Sequence, residues 1–388
     1  MISYLLLSNH LPLRDYANMK YYLVAGEASG DLHGANLMKA LKEKDKQAEF
    51  RFYGGDKMLA EGGELVKHYA DMAFMGFVEI IANLRTISKN LAACKKDIAA
   101  WQPDVLILID FPGFNLRIAA DAKAKGFMVC YYISPKVWAW NQKRVLKIKR
   151  VVDHMFCILP FEVDFYKKWD MHVDYVGNPL LDAISDFKPD ADFRKTYNLS
   201  DKKIIALLPG SRKQEISRLL PDMVAVAQKW PDYQFVVAGA PSFKPDYYDE
   251  YLKGTDIPLV FDATYDLLSN AYAAIVASGT ASLETALFNV PQVVVYKSSA
   301  ISMAIARTVV KVKYASLVNL IMDEEVVNEL IQPYCTPQTI NAELENILNN
   351  KAYFDKILAN YQELFSRMGK PGASARTAEL IVKYATKK

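Results

Sequence analysis

Long hydrophobic runs are absent. No apolar stretch in the 388 residues reaches the ~18 needed to span a bilayer as a helix, which excludes a helical integral membrane protein. Cysteine is scarce: Cys94, Cys130, Cys157 and Cys335 lie far apart and form no C-x-x-C pair. That excludes a disulfide framework or a zinc ribbon and reads as reduced core thiols in a cytosolic protein. The five histidines make no H-E-x-x-H or other ligand spacing, so no protein-bound metal is expected. An excess of one charge is missing too, and a net +3 is too small to identify a partner. There is no Walker A sequence, which disfavours an ATPase. Gly26, Gly30 and Gly34 do not meet the G-x-G-x-x-G spacing, which disfavours a nicotinamide enzyme. The opening MISYLLLSNHLPLRDYANM lacks the basic start and small-residue cleavage site of a signal peptide. Met19 directly precedes the first strand, so residues 1–18 are expected to be an extension with no part in the fold.

What is present is the composition of a globular protein with sizeable cores, 52% hydrophobic and 23% charged. The length implies about two domains of ~100–200 residues each. The chain alternates short apolar runs with helical patterns. Strands are expected at 21–25, 50–53, 105–109, 127–133, 155–159 and 173–176, then, after the polar stretch 186–201, at 204–208, 233–238, 273–277 and 291–296. Such alternation means parallel sheets covered by helices on both faces. The expected fold is therefore α/β, with two Rossmann-like doubly wound domains facing a cleft. The boundaries fall at 19–185 and 186–365, with residues 366–388 forming a last helix that can cross back to the first domain.

In open α/β sheets ligands bind beyond the carboxyl ends of the strands. The first such end is organised as strand, small-residue loop and helix, YYLVAGEASGDLHGANLMKAL. Gly26, Glu27, Ser29, Gly30 and Asp31 there are candidates for the floor of a cleft, with Ser29 or Asp31 able to cap the helix. The run Val105–Ile109 ends in Asp110, a carboxylate placed where a base is needed; the same Asp before Phe-Pro-Gly is also a good turn residue. In the second half, Gly210, Ser211 and Arg212 follow one strand, and Ser278, Gly279 and Thr280 follow another and open a helix. Free amides, the positive end of a helix dipole and a guanidinium suit an anion, and two such loops suit a diphosphate. Glu284, one helical turn beyond Thr280, can reach ribose hydroxyls. Each loop alone also reads as an ordinary strand-to-helix turn. A metal-dependent sugar-nucleotide enzyme would carry Asp-x-Asp at a strand end. The only such triplet, Asp190 to Asp192, lies in the polar stretch, so neither metal nor cofactor is expected.

Two segments remain. MAFMGFVEIIANL, from Met72 to Leu84, places Phe74, Met75, Phe77, Val78, Ile80 and Ile81 with almost no polar face. It reads either as a buried or dimer-forming helix or as a patch that enters a membrane surface or takes an acyl chain. SPKVWAWNQKRVLKIKR carries two tryptophans and then Lys143, Arg144, Lys147, Lys149 and Arg150. No nucleic-acid motif accompanies it, and it reads as a solvated helix face or a contact with anionic lipid.

The segments VAGEASGDLHGANL, IDFPGFN, SPKVWAWNQKRV, LLPGSR and ASGTASLETAL, in this order, closely resemble the lipid-A-disaccharide synthase family, glycosyltransferases of the GT-B type. The resemblance runs from Lys20 to the C-terminal helix. It implies transfer of a diacylated glucosamine from UDP to diacylglucosamine 1-phosphate with inversion, at the cytoplasmic surface of the inner membrane, with no nucleic acid involved. It makes Asp110 the base and Arg212 a ligand of the UDP diphosphate, places Ser278, Gly279, Thr280 and Glu284 in the nucleotide-binding stretch, and adds Asn319 of YASLVNL to that pocket. Where the family commonly has D-x-P-D-F-N, this chain has Gly113 in place of the second acid. Two other readings keep the same architecture: a UDP-sugar 2-epimerase, which acts on a soluble nucleotide sugar, and a nucleotide-sugar or lipid binder without catalysis.

Overall fold

A computed structural model describes residues 18–72, 84–299 and 312–387. The apolar helix expected around Phe74, Met75, Phe77, Val78, Ile80 and Ile81 lies outside the described residues. The chain divides into two compact units. One takes residues up to Val137, Gln142–Pro179 and Gly372 onward; the other takes Trp138–Asn141 and Leu180–Pro371.

The first unit is built on a sheet of seven parallel strands. They are β1 (Lys20–Ala25), β2 (Glu49–Gly54), β3 (Glu64–His68), β4 (Val105–Ile109), β5 (Met128–Tyr132), β6 (His154–Cys157) and β7 (Asp174–Tyr175), in the order β3-β2-β1-β4-β5-β6-β7. Strand side chains alternate between faces, and here both faces are covered. Tyr21, Leu23 and Ala25 join one core while Tyr22 and Val24 join another. This is why VLILI reads as continuously apolar: all five residues of β4 are buried. The helix Ala373–Thr386 packs against Ala28–Lys44 and adds Ala378, Ile381 and Val382 to the first of these cores, that of Tyr21, Leu23 and Ala25. It is tied there by Arg376 Nε donating to the Val176 carbonyl at 2.8 Å and by Tyr384 donating to Asp174.

The second unit repeats the plan with six parallel strands. These are β8 (Ile204–Leu208), β9 (Gln234–Gly239), β10 (Leu259–Phe261), β11 (Ala271–Ala277), β12 (Gln292–Tyr296) and β13 (Glu329–Ile331), ordered β10-β9-β8-β11-β12-β13. Part of the polar stretch 186–201 belongs to this unit: Phe193 is buried in its core, and the Asp190 amide donates to Asp266. The two doubly wound domains expected from the alternating pattern are present. Three strands had no counterpart in the sequence reading, β3, β10 and β13. All three lie at sheet edges.

Candidate active site

In a doubly wound sheet the crevice opens where the strand order reverses. In the first unit that point lies between β1 and β4, and the residues following them are Gly26 and Glu27 on one side and Asp110 on the other. Ala25 pairs with Ile109 and Ile109 with Tyr132, so the ends of β1, β4 and β5 are level. Asp110 is half-buried. Burial, joined by the neighbouring Glu27 charge, pushes its carboxyl up to about 6 from 3.8, against opposing contributions from Lys136 and the Phe111 amide.

The backbone there is held in an unusual shape. Asp110 and Phe111 both have left-handed φ, 43° and 46°, a conformation costing ~1–3 kcal/mol for each non-glycine residue. The turn is clamped from below. The Asp110 carbonyl accepts from Tyr131 Oη at 2.5 Å and from Asn115 Nδ2 at 2.8 Å. The same Asn115 amide reaches the carbonyls of Ile109 and Val24. Above, the Phe111 ring stacks on Phe114 and leaves no room for a side chain at Gly26.

Other residues of the first loop have different work. Asp31, expected on the cleft floor, is buried. Its two oxygens accept from the amides of Gly55, Met58 and Lys57, so it caps the helix Asp56–Ala60 and not its own. Neither Ser29 nor Asp31 caps Ala28–Lys44, whose N-cap is Glu27. Gly30 is buried against Ala25, while Glu27 and Ser29 stay exposed.

In the second unit the order reverses between β8 and β11, which brings the loops Gly210–Arg212 and Ser278–Thr280 to one point. Their amides are not equally available. Glu215 folds back so that Oε2 accepts from the Ser211 and Arg212 amides, at 3.1 and 3.3 Å, and Oε1 accepts from the Arg212 guanidinium at 3.2 Å. Gly210, at φ 103°, is needed for this. A Cβ there would stand 2.4 Å from Glu215 Oε2. The backbone anion nest expected at Gly210–Arg212 is thus already filled by the chain's own carboxylate, and what this loop offers a phosphate is the Arg212 side chain, 73% exposed.

On the second loop, Ser278 donates from Oγ to the Ala315 carbonyl, and its amide is taken by Val295. Thr280 is exposed and opens the helix Thr280–Leu287; the amides of Thr280 and Ala281 lack intrahelical acceptors, while that of Ser282 donates to the Gly279 carbonyl at 3.3 Å. Glu284 is half-buried, accepts from Tyr265 Oη at 3.0 Å, and is raised by burial against the lowering effect of that bond. Asn319 does not line a pocket. Fully buried, it donates to the Val327 carbonyl and Glu329 and accepts from the amides of Val326 and Val327. That uses its whole hydrogen-bonding capacity.

The basic segment forms a short turn, Gln142–Arg144, and a helix, Val145–Val151. Lys143 is exposed, Arg144 and Lys147 half-buried, and Val145 and Ile148 face inward, while Leu146 and Trp140 are 52% and 46% exposed. Among the described residues no helix is long and apolar enough to cross a membrane.

Paired Rossmann-like units of this kind define the GT-B fold, and that is the fold class of this chain. The glycosyltransferase of kitacinnamycin superposes with a TM-score of 0.65 at 13% identity, over 95% of this chain and 99% of that one. A UDP-GlcNAc 2-epimerase from Neisseria meningitidis bound to UDP-GlcNAc gives 0.63 at 13%, over 95% and 100%; these show the fold alone. Sequence likeness reaches further. The family model for lipid-A-disaccharide synthetase matches residues 21–383. The lipid-A-disaccharide synthase of Trichlorobacter lovleyi is 39% identical over 367 residues, 93% of this chain and 96% of its own length. That of Myxococcus xanthus is 40% identical over the same shares. The chain belongs to the lipid-A-disaccharide synthase family.

Sequence reasoning missed Glu215, Asn115, Tyr131, Tyr265 and Lys136. Asn115 and Lys136 stand inside quoted segments, IDFPGFN and SPKVWAW, so position marked them without revealing a role. The other three act through contacts that only the folded chain brings together.

Proposed function

We propose that Asp110 is the general base of this glycosyltransferase and that the second unit holds the UDP of the donor through Arg212, the amides opening the helix at Thr280, and Glu284. The family's reaction transfers 2,3-diacylglucosamine from its UDP derivative to 2,3-diacylglucosamine 1-phosphate. The acceptor's 6-hydroxyl oxygen forms a bond to the anomeric carbon as the bond from that carbon to the diphosphate oxygen breaks. The hydroxyl proton passes to Asp110, and UDP leaves carrying the electron pair. Attack opposite the leaving group inverts the anomeric centre and gives the β-1,6 linkage. The observation that carries this reading is the Asp110 carboxyl, at the switch point of its sheet and raised to about 6. A base with that affinity is ionised at neutral pH yet holds a proton far better than an ordinary aspartate, and such a group contributes ~100 to 10,000-fold in rate.

The leaving diphosphate needs countercharge. Arg212 supplies an exposed guanidinium, and the helix N-terminus supplies amides. Tyr265 occupies one oxygen of Glu284, leaving the other for a ribose hydroxyl. The test is UDP release from the two lipid substrates, with Asp110→Asn beside the wild type. Turnover reduced by two orders of magnitude or more supports the assignment, whereas an unchanged rate removes it.

We infer in addition that the chain works at the surface of the membrane that carries its acylated substrates. Exposed Leu146, on one short segment with Lys143, Lys149 and Arg150, combines apolar area with attraction to anionic headgroups. Flotation with vesicles containing anionic lipid should weaken in Leu146→Ser and in high salt. Flotation indifferent to both would remove this reading.

A further inference from the structure

We infer that Asn115 and Tyr131 are positioning residues for Asp110, acting through its main-chain carbonyl. This rests on Asp110 being the base. A carboxylate at a strand end is ordinarily free to swing with its loop, but here the loop is forced through two successive left-handed residues, φ 43° and 46°. Neither is glycine, and one is a bulky phenylalanine, so the conformation persists only where surroundings over-determine it. The surroundings are specific. The Asp110 carbonyl receives one donor from each side, Tyr131 Oη at 2.5 Å and Asn115 Nδ2 at 2.8 Å, which fills both of its lone pairs. The Asp110 amide donates to Tyr132 O at 3.0 Å, in the ladder with β5. The peptide between Asp110 and Phe111 is therefore fixed in orientation, and its other end is the Phe111 N–H, which stands near enough to the Asp110 carboxylate to lower its proton affinity.

Both anchors suit the task. Asn115 is fully buried, and its amide spreads over three carbonyls, from Val24 on β1, Ile109 on β4 and Asp110 itself. It ties the turn to both strands that flank the switch point. Among the described residues no group donates to its Oδ1, so the whole of its bonding to the turn is made by the amide nitrogen. Tyr131 is fully buried, and burial together with the Asp110 charge keeps its phenol protonated and thus a donor. An alanine at either place would leave the Asp110 carbonyl underpaired and the strained turn free to relax toward ordinary φ, rotating the Phe111 amide off the carboxylate.

The experiment is a pH–rate profile of UDP release from pH 5 to 8, with melting temperatures, for wild type, Tyr131→Phe, Asn115→Asp and Asp110→Asn. Tyr131→Phe removes one oxygen and should fold. It is expected to lower kcat about tenfold with both KM values within twofold, and to move the acid limb to higher pH because the carboxylate loses its amide. Asn115→Asp, with at most one proton to donate where the amide served three carbonyls, should lose more. A Tyr131→Phe protein with wild-type kcat and an unmoved limb overturns the inference, as does a loss of activity that follows melting temperature with the limb in place. Wild-type turnover by Asp110→Asn would instead defeat the base assignment itself. An inactive Asp110→Asn beside an unaffected Tyr131→Phe would defeat the positioning role alone.

Discussion

The ring of Phe111 stands where a side chain on Gly26 would be: a Cβ there would lie 2.2 Å from Phe111 Cδ1. The glycine at the end of β1 and the strained turn at the end of β4 are thus one packed unit. Phe111 cannot easily yield, because its backbone is in the left-handed region and its ring is stacked on Phe114 at 5.6 Å. Gly26→Ala should therefore cost about 1–3 kcal/mol, as overpacking does, and lower turnover by displacing the turn that carries Asp110. Adding Phe111→Ala should return part of the lost stability, giving a non-additive double-mutant cycle in denaturant unfolding. Additive losses would mean that the two residues do not share the space.

The raised Asp110 carboxyl has opposite consequences for activity and stability. As a base it must be ionised, so turnover should fall through a midpoint near pH 6 and drop about tenfold per unit below it. For stability, the folded protein binds this proton more tightly than the unfolded chain does, since its pKa is about 6 against 3.8. This carboxyl therefore favours the folded state increasingly as pH falls from about 6 to about 4, and burdens it above pH 6. At pH 7 Asp110→Asn should raise stability by roughly 1–3 kcal/mol, with a smaller gain at pH 4.5. Urea unfolding at the two pH values decides the matter, and a destabilised Asp110→Asn at pH 7 would contradict it.

Arg212 and Glu215 separate binding from folding in the second unit. The guanidinium is 73% exposed and paired at 3.2 Å with Glu215, an arrangement worth at most ~1 kcal/mol. Arg212→Ala should leave the melting temperature almost unchanged while weakening UDP binding by about 10- to 100-fold, the worth of a charge-assisted contact to phosphate. Gly210→Ala should do the reverse. Strain at φ 103° and overlap with Glu215 Oε2 would loosen the loop and lower stability first. Titration calorimetry with UDP alongside thermal melts separates the two, and equal losses of affinity and stability in Arg212→Ala would refute the distinction.

How far the chain could be read before folding follows from burial. β4, β5, β8 and β12 are almost wholly buried and show as unbroken apolar runs. ELVKH, LVF and ELI, the strands β3, β10 and β13, are short edges with half-exposed residues and carry no comparable signal. Asp110 was visible because it ends a buried run. Tyr131 was not, because only the pairing of β4 with β5 brings its hydroxyl to the Asp110 carbonyl. Asp31 and Asn319 show the opposite limit. Each looks like a ligand in its motif, and a sequence does not say that nearby backbone groups take up the hydrogen-bonding capacity of its side chain.

Asn319 also permits a test of how the Ser278 loop is held. Glu329 accepts from the amides of Ala315 and Ser316, from Ser316 Oγ and from Asn319 Nδ2, and the Ala315 carbonyl in turn takes the Ser278 hydroxyl. Asn319→Asp keeps the shape but sets a second carboxylate against Glu329, where Nδ2 stands 2.9 Å from Oε1. Two carboxylates so close resist ionising together, so the new acid should have a raised pKa. Its folded-state affinity for the proton would exceed the unfolded one, and the variant should be several kcal/mol less stable at pH 7 yet recover as pH falls toward 5. UDP affinity should fall with the stability, because the loss of the brace releases Ser278. Asn319→Asp with wild-type stability at pH 7, or a deficit that does not shrink on acidification, would show that this network does not hold the loop.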